Sequence, residues 1–122
     1  MGISENVFFT GYAEIIADFY KMSDLYIMPS VSEPFGITAL EALSSGIPVI
    51  ISKQSGVSEV VSHCMKVDFW DTDELANKII GILRYSPLRD EMVKNGFSEV
   101  QKFDWLNVAD RTKDIYSSVL NR

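Results

Sequence analysis

Leu25-Tyr26-Ile27-Met28-Pro29-Ser30-Val31-Ser32-Glu33-Pro34-Phe35-Gly36-Ile37-Thr38-Ala39-Leu40-Glu41-Ala42-Leu43-Ser44-Ser45-Gly46-Ile47-Pro48-Val49-Ile50-Ile51 is the stretch that decides the fold. Two short apolar runs, Leu25 to Met28 and Val49 to Ile51, flank a loop and a helical segment. Runs without polar alternation suit parallel strands covered on both faces. Between them Ile37, Leu40 and Leu43 form the core face of a helix. Gly46 stands where a helix stop belongs, and Pro48 prevents continuation. The reading is a βαβ unit with a right-handed crossover.

The loop carries the functional signal. Strand-to-helix loops in such units commonly take about 2–6 residues. Pro29 to Gly36 is longer and is stiffened by Pro29 and Pro34. In an open parallel sheet it lies on the carboxyl-end rim, where ligands bind. Gly36 at the helix mouth permits the turn and close backbone approach, so the free amides of Ile37 and Thr38 point at whatever lies above them. Glu33 in the loop and Glu41 one turn into the helix place two carboxylates near the same rim. An amide nest for phosphate beside acceptors for hydroxyls describes a site for a sugar-bearing phosphate ligand. Gly36 could serve the turn alone, Glu33 could be a solvated loop carboxylate and Glu41 an ordinary helix-surface residue. The place of Glu33 between strand end and helix start favours function, Glu41 stands between Leu40 and Ala42 in a helix with little polar surface, and the turn at Gly36 is what exposes the amides.

Glu33-Pro34-Phe35-Gly36-Ile37-Thr38-Ala39-Leu40-Glu41-Ala42, followed by Gly46-Ile47-Pro48-Val49-Ile50, resembles the Glu-x7-Glu signature of retaining glycosyltransferases of family 4, the group 1 transferases. That family includes sucrose and glycogen synthases and bacterial lipid or polysaccharide glycosyltransferases. The similarity extends upstream to Asn6-Val7-Phe8-Phe9-Thr10-Gly11-Tyr12 and downstream to Gly56-Val57-Ser58-Glu59-Val60-Val61, nearly the whole chain. The resemblance implies a three-layer α/β/α parallel sheet, part of the C-terminal Rossmann-like domain of a GT-B enzyme. Residues 1–122 would be a partial donor-binding domain, with its first two strands, their arginine and lysine, and the N-terminal acceptor domain absent.

By the same resemblance, Glu33 contacts donor-sugar hydroxyls and stabilises charge at the anomeric carbon. Gly36, Ile37 and Thr38 hold the diphosphate, the Thr38 hydroxyl adding a phosphate contact, and Glu41 accepts from the ribose diol. Phe35 forms a wall of the sugar pocket or anchors the loop. Gly11 and Tyr12 approach the base, or Tyr12 packs in the core. The expected partner is a nucleotide-diphosphate sugar, with no cofactor and no metal. Ser55 departs from the family's pattern, standing where a glycine is common. A glycosidase using Glu33 and Glu41 as an acid/base pair is the rival enzyme reading; a non-catalytic α/β interaction domain is the other.

The remaining segments read as follows. Val7 to Thr10 is a strand ending at Gly11, and Ala13 to Met22 a helix with Ile15, Ile16, Phe19 and Tyr20 at helical spacing. Val57 to Val61 forms one or two helical turns, and Cys64 to Val67 a last strand. Asp71 and Glu74 have capping-box spacing ahead of a helix with Leu75, Ala76, Ile79, Ile80 and Leu83 inward. Ser86-Pro87 reads as an N-cap with proline at the first helical position. Asp104 caps a last helix whose Trp105, Val108, Ala109, Ile115 and Val119 face a core. The total is four strands and six helices, an α/β order. In a strand order of 3-2-1-4-5-6, the Val7 strand would be third and the Leu25 strand fourth. With the strands between them missing, either the Val7 strand pairs directly with the Leu25 strand or both edges stand open, and an open edge invites pairing with a second copy.

Composition narrows the partners. The chain has 122 residues, 47% hydrophobic, enough for one domain with a core. Its 11 basic and 17 acidic residues leave a net charge of −6, and no basic cluster interleaves with aromatics, which argues against nucleic acid. Cys64 is the single cysteine and reads as a small core residue; no internal disulfide can form, which fits a reducing compartment. With no membrane-length apolar run and no signal-peptide core, the expectation is cytoplasmic, peripheral to a membrane at most in a larger enzyme. His63 lies in a turn, and the acidic run from Asp68 to Glu74 is a helix cap rather than a cation site.

Overall fold

A computed structural model describes residues 2–121. Among them, the order is α1 (Ile16–Lys21), β1 (Tyr26–Met28), α2 (Ile37–Ser44), β2 (Val49–Ser52), β3 (Met65–Val67), α3 (Thr72–Arg84), α4 (Ser86–Val100) and α5 (Trp105–Leu120), with 3-10 turns at Ser4–Asn6 and Gly56–Glu59. The strands pair in parallel in the order β1-β2-β3, with Tyr26 opposite Val49 and Ile50 opposite Met65. The expected βαβ unit is therefore present. β2 is central and wholly buried, as its unbroken apolar run requires.

Two apolar clusters cover the two faces of the sheet. Val49 and Ile51 pack with Ala39, Ala42 and Leu43 of α2, Tyr20 of α1 and Val100 of α4. Ile50 and Val67 pack on the other face with Ile82 of α3, flanked by Leu75, Ile79 and Met92. This is the expected three-layer α/β/α arrangement. Each fully buried aliphatic side chain contributes roughly 2 kcal/mol. The α2 face differs from the Ile37–Leu40–Leu43 reading: Ala39, Ala42 and Leu43 are buried, while Ile37 stays 48% exposed. Two alanines let the helix lie close on the sheet and turn Ile37 outward. At its end the Gly46 amide donates to the Leu43 carbonyl and the Ile47 amide to that of Ala42, the expected helix stop.

Other expectations are corrected. Val7 to Thr10 forms no strand; Phe8 and Phe9 stand 83% and 96% exposed. A strand exists only as half of a ladder, and among the described residues β1 pairs with β2 alone. The helix predicted over Ala13 to Met22 shrinks to α1, where Tyr20 is buried and Ile15, Ile16 and Phe19 are not. On α3 the inward positions are Leu75, Ile79 and Ile82, whereas Ala76, Ile80 and Leu83 face outward. Ser86 is the first residue of α4 rather than its cap, with Pro87 in the first turn. The capping carboxylates behave as read: Asp71 accepts from the Glu74 amide at 2.8 Å and Asp104 from the Leu106 amide at 3.1 Å. Trp105, Val108, Ala109, Ile115 and Val119 are all exposed, so α5 forms with its apolar stripe uncovered.

Candidate functional site at the carboxyl-end rim

The β1–α2 loop is held by its neighbour rather than by itself. Ser52, at the end of β2, donates its hydroxyl to the Ser30 carbonyl at 2.7 Å. Glu33 and Ser55 form an isolated parallel bridge. The Gly56 amide donates to the Glu33 carbonyl at 3.0 Å and the Val57 amide to the Phe35 carbonyl at 2.6 Å. The two rim loops are thus zipped by backbone bonds, which fixes where α2 begins. Close approach makes Gly56 a requirement, because a Cβ there would overlap the Pro34 carbonyl oxygen. Ser55, in the position where a glycine was expected, has an ordinary φ of −89° and donates its hydroxyl to the Ser52 carbonyl.

Gly36 turns the chain into α2 with φ 103° and ψ 54°, in the left-handed region that favours glycine. A Cβ would also meet Met28 Cε at 2.8 Å and Val57 Cγ1 at 3.0 Å. No described side chain caps α2. The Ala39 amide turns back to the Gly36 carbonyl, while the Ile37 and Thr38 amides find no acceptor among the described residues. Such amides at the positive end of the helix dipole suit an anion. The Thr38 hydroxyl accepts from Tyr26 Oη at 2.8 Å and lies 3.8 Å from Met28 Sδ, so it is engaged on the sheet side.

Glu41 is half-buried and accepts a bond from the Tyr20 hydroxyl at Oε2, 3.0 Å away. Burial, then the Glu41 carboxylate, push the Tyr20 phenol above its ordinary range, keeping it a donor. Glu41 lines a cavity of about 750 Å³ with Phe35, Ile37, Leu40, Phe103 and Trp105 among its walls. The structure therefore brings Phe35, Ile37 and Glu41 to one space along α2, while Gly36 and Thr38 are not among its lining residues. Glu33 is not among its lining residues; half-buried on the loop, it accepts a long 3.4 Å bond from the Phe35 amide. Tyr12 is 92% exposed, which removes the core-packing alternative, and Gly11 has open space around it.

A family profile described as "Glycosyl transferases group 1" matches residues 1–99. The chain belongs to the group 1 glycosyltransferases. Among curated relatives it is 32% identical over 95% of its length to an uncharacterized glycosyltransferase of Methanocaldococcus jannaschii, covering 31% of that protein. It is 29% identical over 89% of its length to mannosylfructose-phosphate synthase of Agrobacterium fabrum, covering 25% of it. Among solved structures, Anabaena HepE in complex with UDP and glucose superposes with a TM-score of 0.88 at 26% identity, over 96% of this chain and 33% of that one. Sucrose-phosphate synthase from Thermosynechococcus elongatus gives a TM-score of 0.78 at 32% identity, over 87% of this chain and 28% of that one. The chain thus spans about a third or less of these curated relatives, and it has the α/β fold of this GT-B family.

Two contributors beside α2 escaped the sequence reading: Tyr20 and Tyr26 read there only as helix and strand positions, and their bonds to Glu41 and Thr38 cross sequence separations that no local pattern marks. Gly56, part of the downstream similarity, takes its role from the Pro34 carbonyl beside it. On the far side of the rim, hydrogen bonds from Lys53 and Gln54 hold the Asp68 carboxyl below its usual range. Burial pushes the Cys64 thiol up to about 11, in keeping with its place against the core. The Glu99 carboxylate accepts from the Ser62 and His63 amides and from His63 Nδ1. That contact gives His63 a structural partner away from the helix mouth. No helix among the described residues is long and apolar enough to cross a membrane.

Proposed function

We propose that this chain is the donor-binding portion of a retaining glycosyltransferase of family 4. The parent enzyme would transfer a hexose from a nucleotide-diphosphate sugar to a glycan, lipid or small-molecule acceptor in the cytoplasm. Two observations carry the reading: the Ile37 and Thr38 amides at the α2 mouth are uncapped, and Phe35, Ile37 and Glu41 line one cavity along that helix. That the Anabaena relative is described with UDP and with UDP-glucose supports the same ligand class.

The chemistry follows from charge. As the glycosidic bond breaks, negative charge grows on the diphosphate leaving group. Amides already aimed at that position stabilise it with no reorganisation at the moment of reaction. Glu33, on the zipped loop, would contact donor-sugar hydroxyls and balance positive charge at the anomeric carbon. Glu41 would accept from the ribose diol, Phe35 would wall the sugar pocket, and Gly11 and Tyr12 would lie towards the base. Basic side chains from a preceding segment of the parent would complete the phosphate site, and a metal is not required. The Thr38 hydroxyl, already shared with Tyr26, leaves its amide as the phosphate contact. In the isolated chain, the uncovered β1 edge would pair with a second copy. Family membership favours transfer over the glycosidase reading.

Saturation-transfer NMR of the full-length protein against a panel of nucleotide sugars tests the assignment. Ribose and diphosphate-proximal protons should receive transfer, and Glu41→Ala should weaken the ribose signals. Unchanged ribose signals in Glu41→Ala would remove Glu41 from that role.

A further inference from the structure

We propose that Tyr20 is a positioning residue for Glu41, holding one carboxylate oxygen so that the other is presented to a nucleotide's ribose diol. This rests on the ribose role given to Glu41 above. Tyr20 is the buried side chain of α1, at 5% exposure, while Ile15, Ile16 and Phe19 of the same segment face outward. The helix is anchored through a ring whose polar tip reaches Glu41 Oε2 at 3.0 Å. That ring packs edge-on to Tyr26, with centroids 5.8 Å apart and planes at 73°, which fixes its direction. Tyr26 in turn donates to Thr38 Oγ1 at 2.8 Å. Two neighbouring tyrosines therefore brace the opening turns of α2, one at Thr38 and one at Glu41.

A carboxylate offers two oxygens, and each can accept. Tyr20 occupies Oε2, while Oε1 has no donor among the described residues and belongs to a side chain lining the open cavity. An unbraced glutamate would have to surrender rotamer freedom when it bound a diol, and the brace removes that cost in advance. It also sets which oxygen faces the ligand. Burial keeps the phenol protonated across the working range, so the brace does not switch off with pH.

Calorimetry on the full-length protein with UDP and 2′,3′-dideoxyuridine diphosphate tests the role. Wild type should prefer UDP. Tyr20→Phe should weaken UDP binding by about three- to tenfold and leave the dideoxy analogue unchanged. In a Glu41→Gln background the same change should cost nothing further, because the two residues act as one unit. Both nucleotides are measured on the same protein, so their affinity ratio does not depend on how much of it is folded. An equal loss for both nucleotides would make Tyr20 a purely structural residue and overturn the proposal, as would no loss for either. Should wild type fail to discriminate, or Glu41→Gln leave the preference intact, the ribose role itself falls and takes the brace with it.

Discussion

The unit from β1 to β3 and the two ends of the chain contain similar apolar side chains with opposite fates. Val49, Ile50, Ile51, Leu43 and Val57 are buried to 1% exposure or less. Phe8, Phe9, Ile15, Trp105 and Ile115 stand in solvent, from 63% to 96% exposed. Composition does not distinguish the two regions; partners do. The central unit carries its own, because each strand finds the next within a short crossover and each helix folds back over the sheet. The ends present strand-like and helix-like patterns to surfaces that the described residues do not provide.

The contrast can be broken most severely at the point where the central unit is zipped. Gly56→Ala drives a methyl group into the Pro34 carbonyl and must part the two rim loops. We expect a loss of about 3 kcal/mol, read as a lowered urea midpoint, together with loss of nucleotide binding. Leu43→Ala, by comparison, should cost about 3 kcal/mol through a cavity while the loop bonds survive. A Gly56→Ala midpoint equal to wild type would mean that the zipper does not support the fold.

Glu99→Gln comes next, at about 2 kcal/mol. Glu99 of α4 ties the turn before β3 to the core through three N–H donors, two from the backbone and one from the His63 ring. Burial alone would push its pKa up, but the His63 and Ser62 amides and the His63 ring hold it below the usual carboxylate range. A lowered folded-state pKa stabilises the fold above the unfolded carboxylate value. Chemical melts at stepped pH should therefore show a Glu99-dependent contribution that is fully present above about pH 5 and is lost as pH falls through the lowered pKa. Parallel wild-type and Glu99→Gln profiles down to acid would contradict it.

How much could be read in advance divides along the same line. The βαβ unit was legible because strand, loop, helix and stop lie consecutively, each with its own local signal. Asp71 and Asp104 were legible as caps for the same reason. The burial of α5 was not: an apolar stripe records that a face wants cover, not whether cover is present. On α2, Leu40 and Leu43 were read correctly as inward, but Ile37 was not, and Ala39 and Ala42 were passed over as neutral although small side chains are what let a helix approach a sheet. The rim loop's importance showed in its length and prolines. Its dependence on Ser52, Ser55 and Gly56 arises from register between two strands, which the sequence does not display.

The smallest effect is expected at the ends. Phe9→Ser in this chain should change stability by less than about 0.5 kcal/mol, because no described residue covers Phe9, which stands 96% exposed. A loss comparable to that of Leu43→Ala would show that the exposed segment has a partner after all.

The most direct test of the central claim is an amide chemical-shift titration of the isotope-labelled full-length protein with UDP. The α2-mouth account predicts the largest shifts at the Ile37 and Thr38 amides, saturating with added nucleotide. Saturable binding that leaves those two amides unmoved would contradict it.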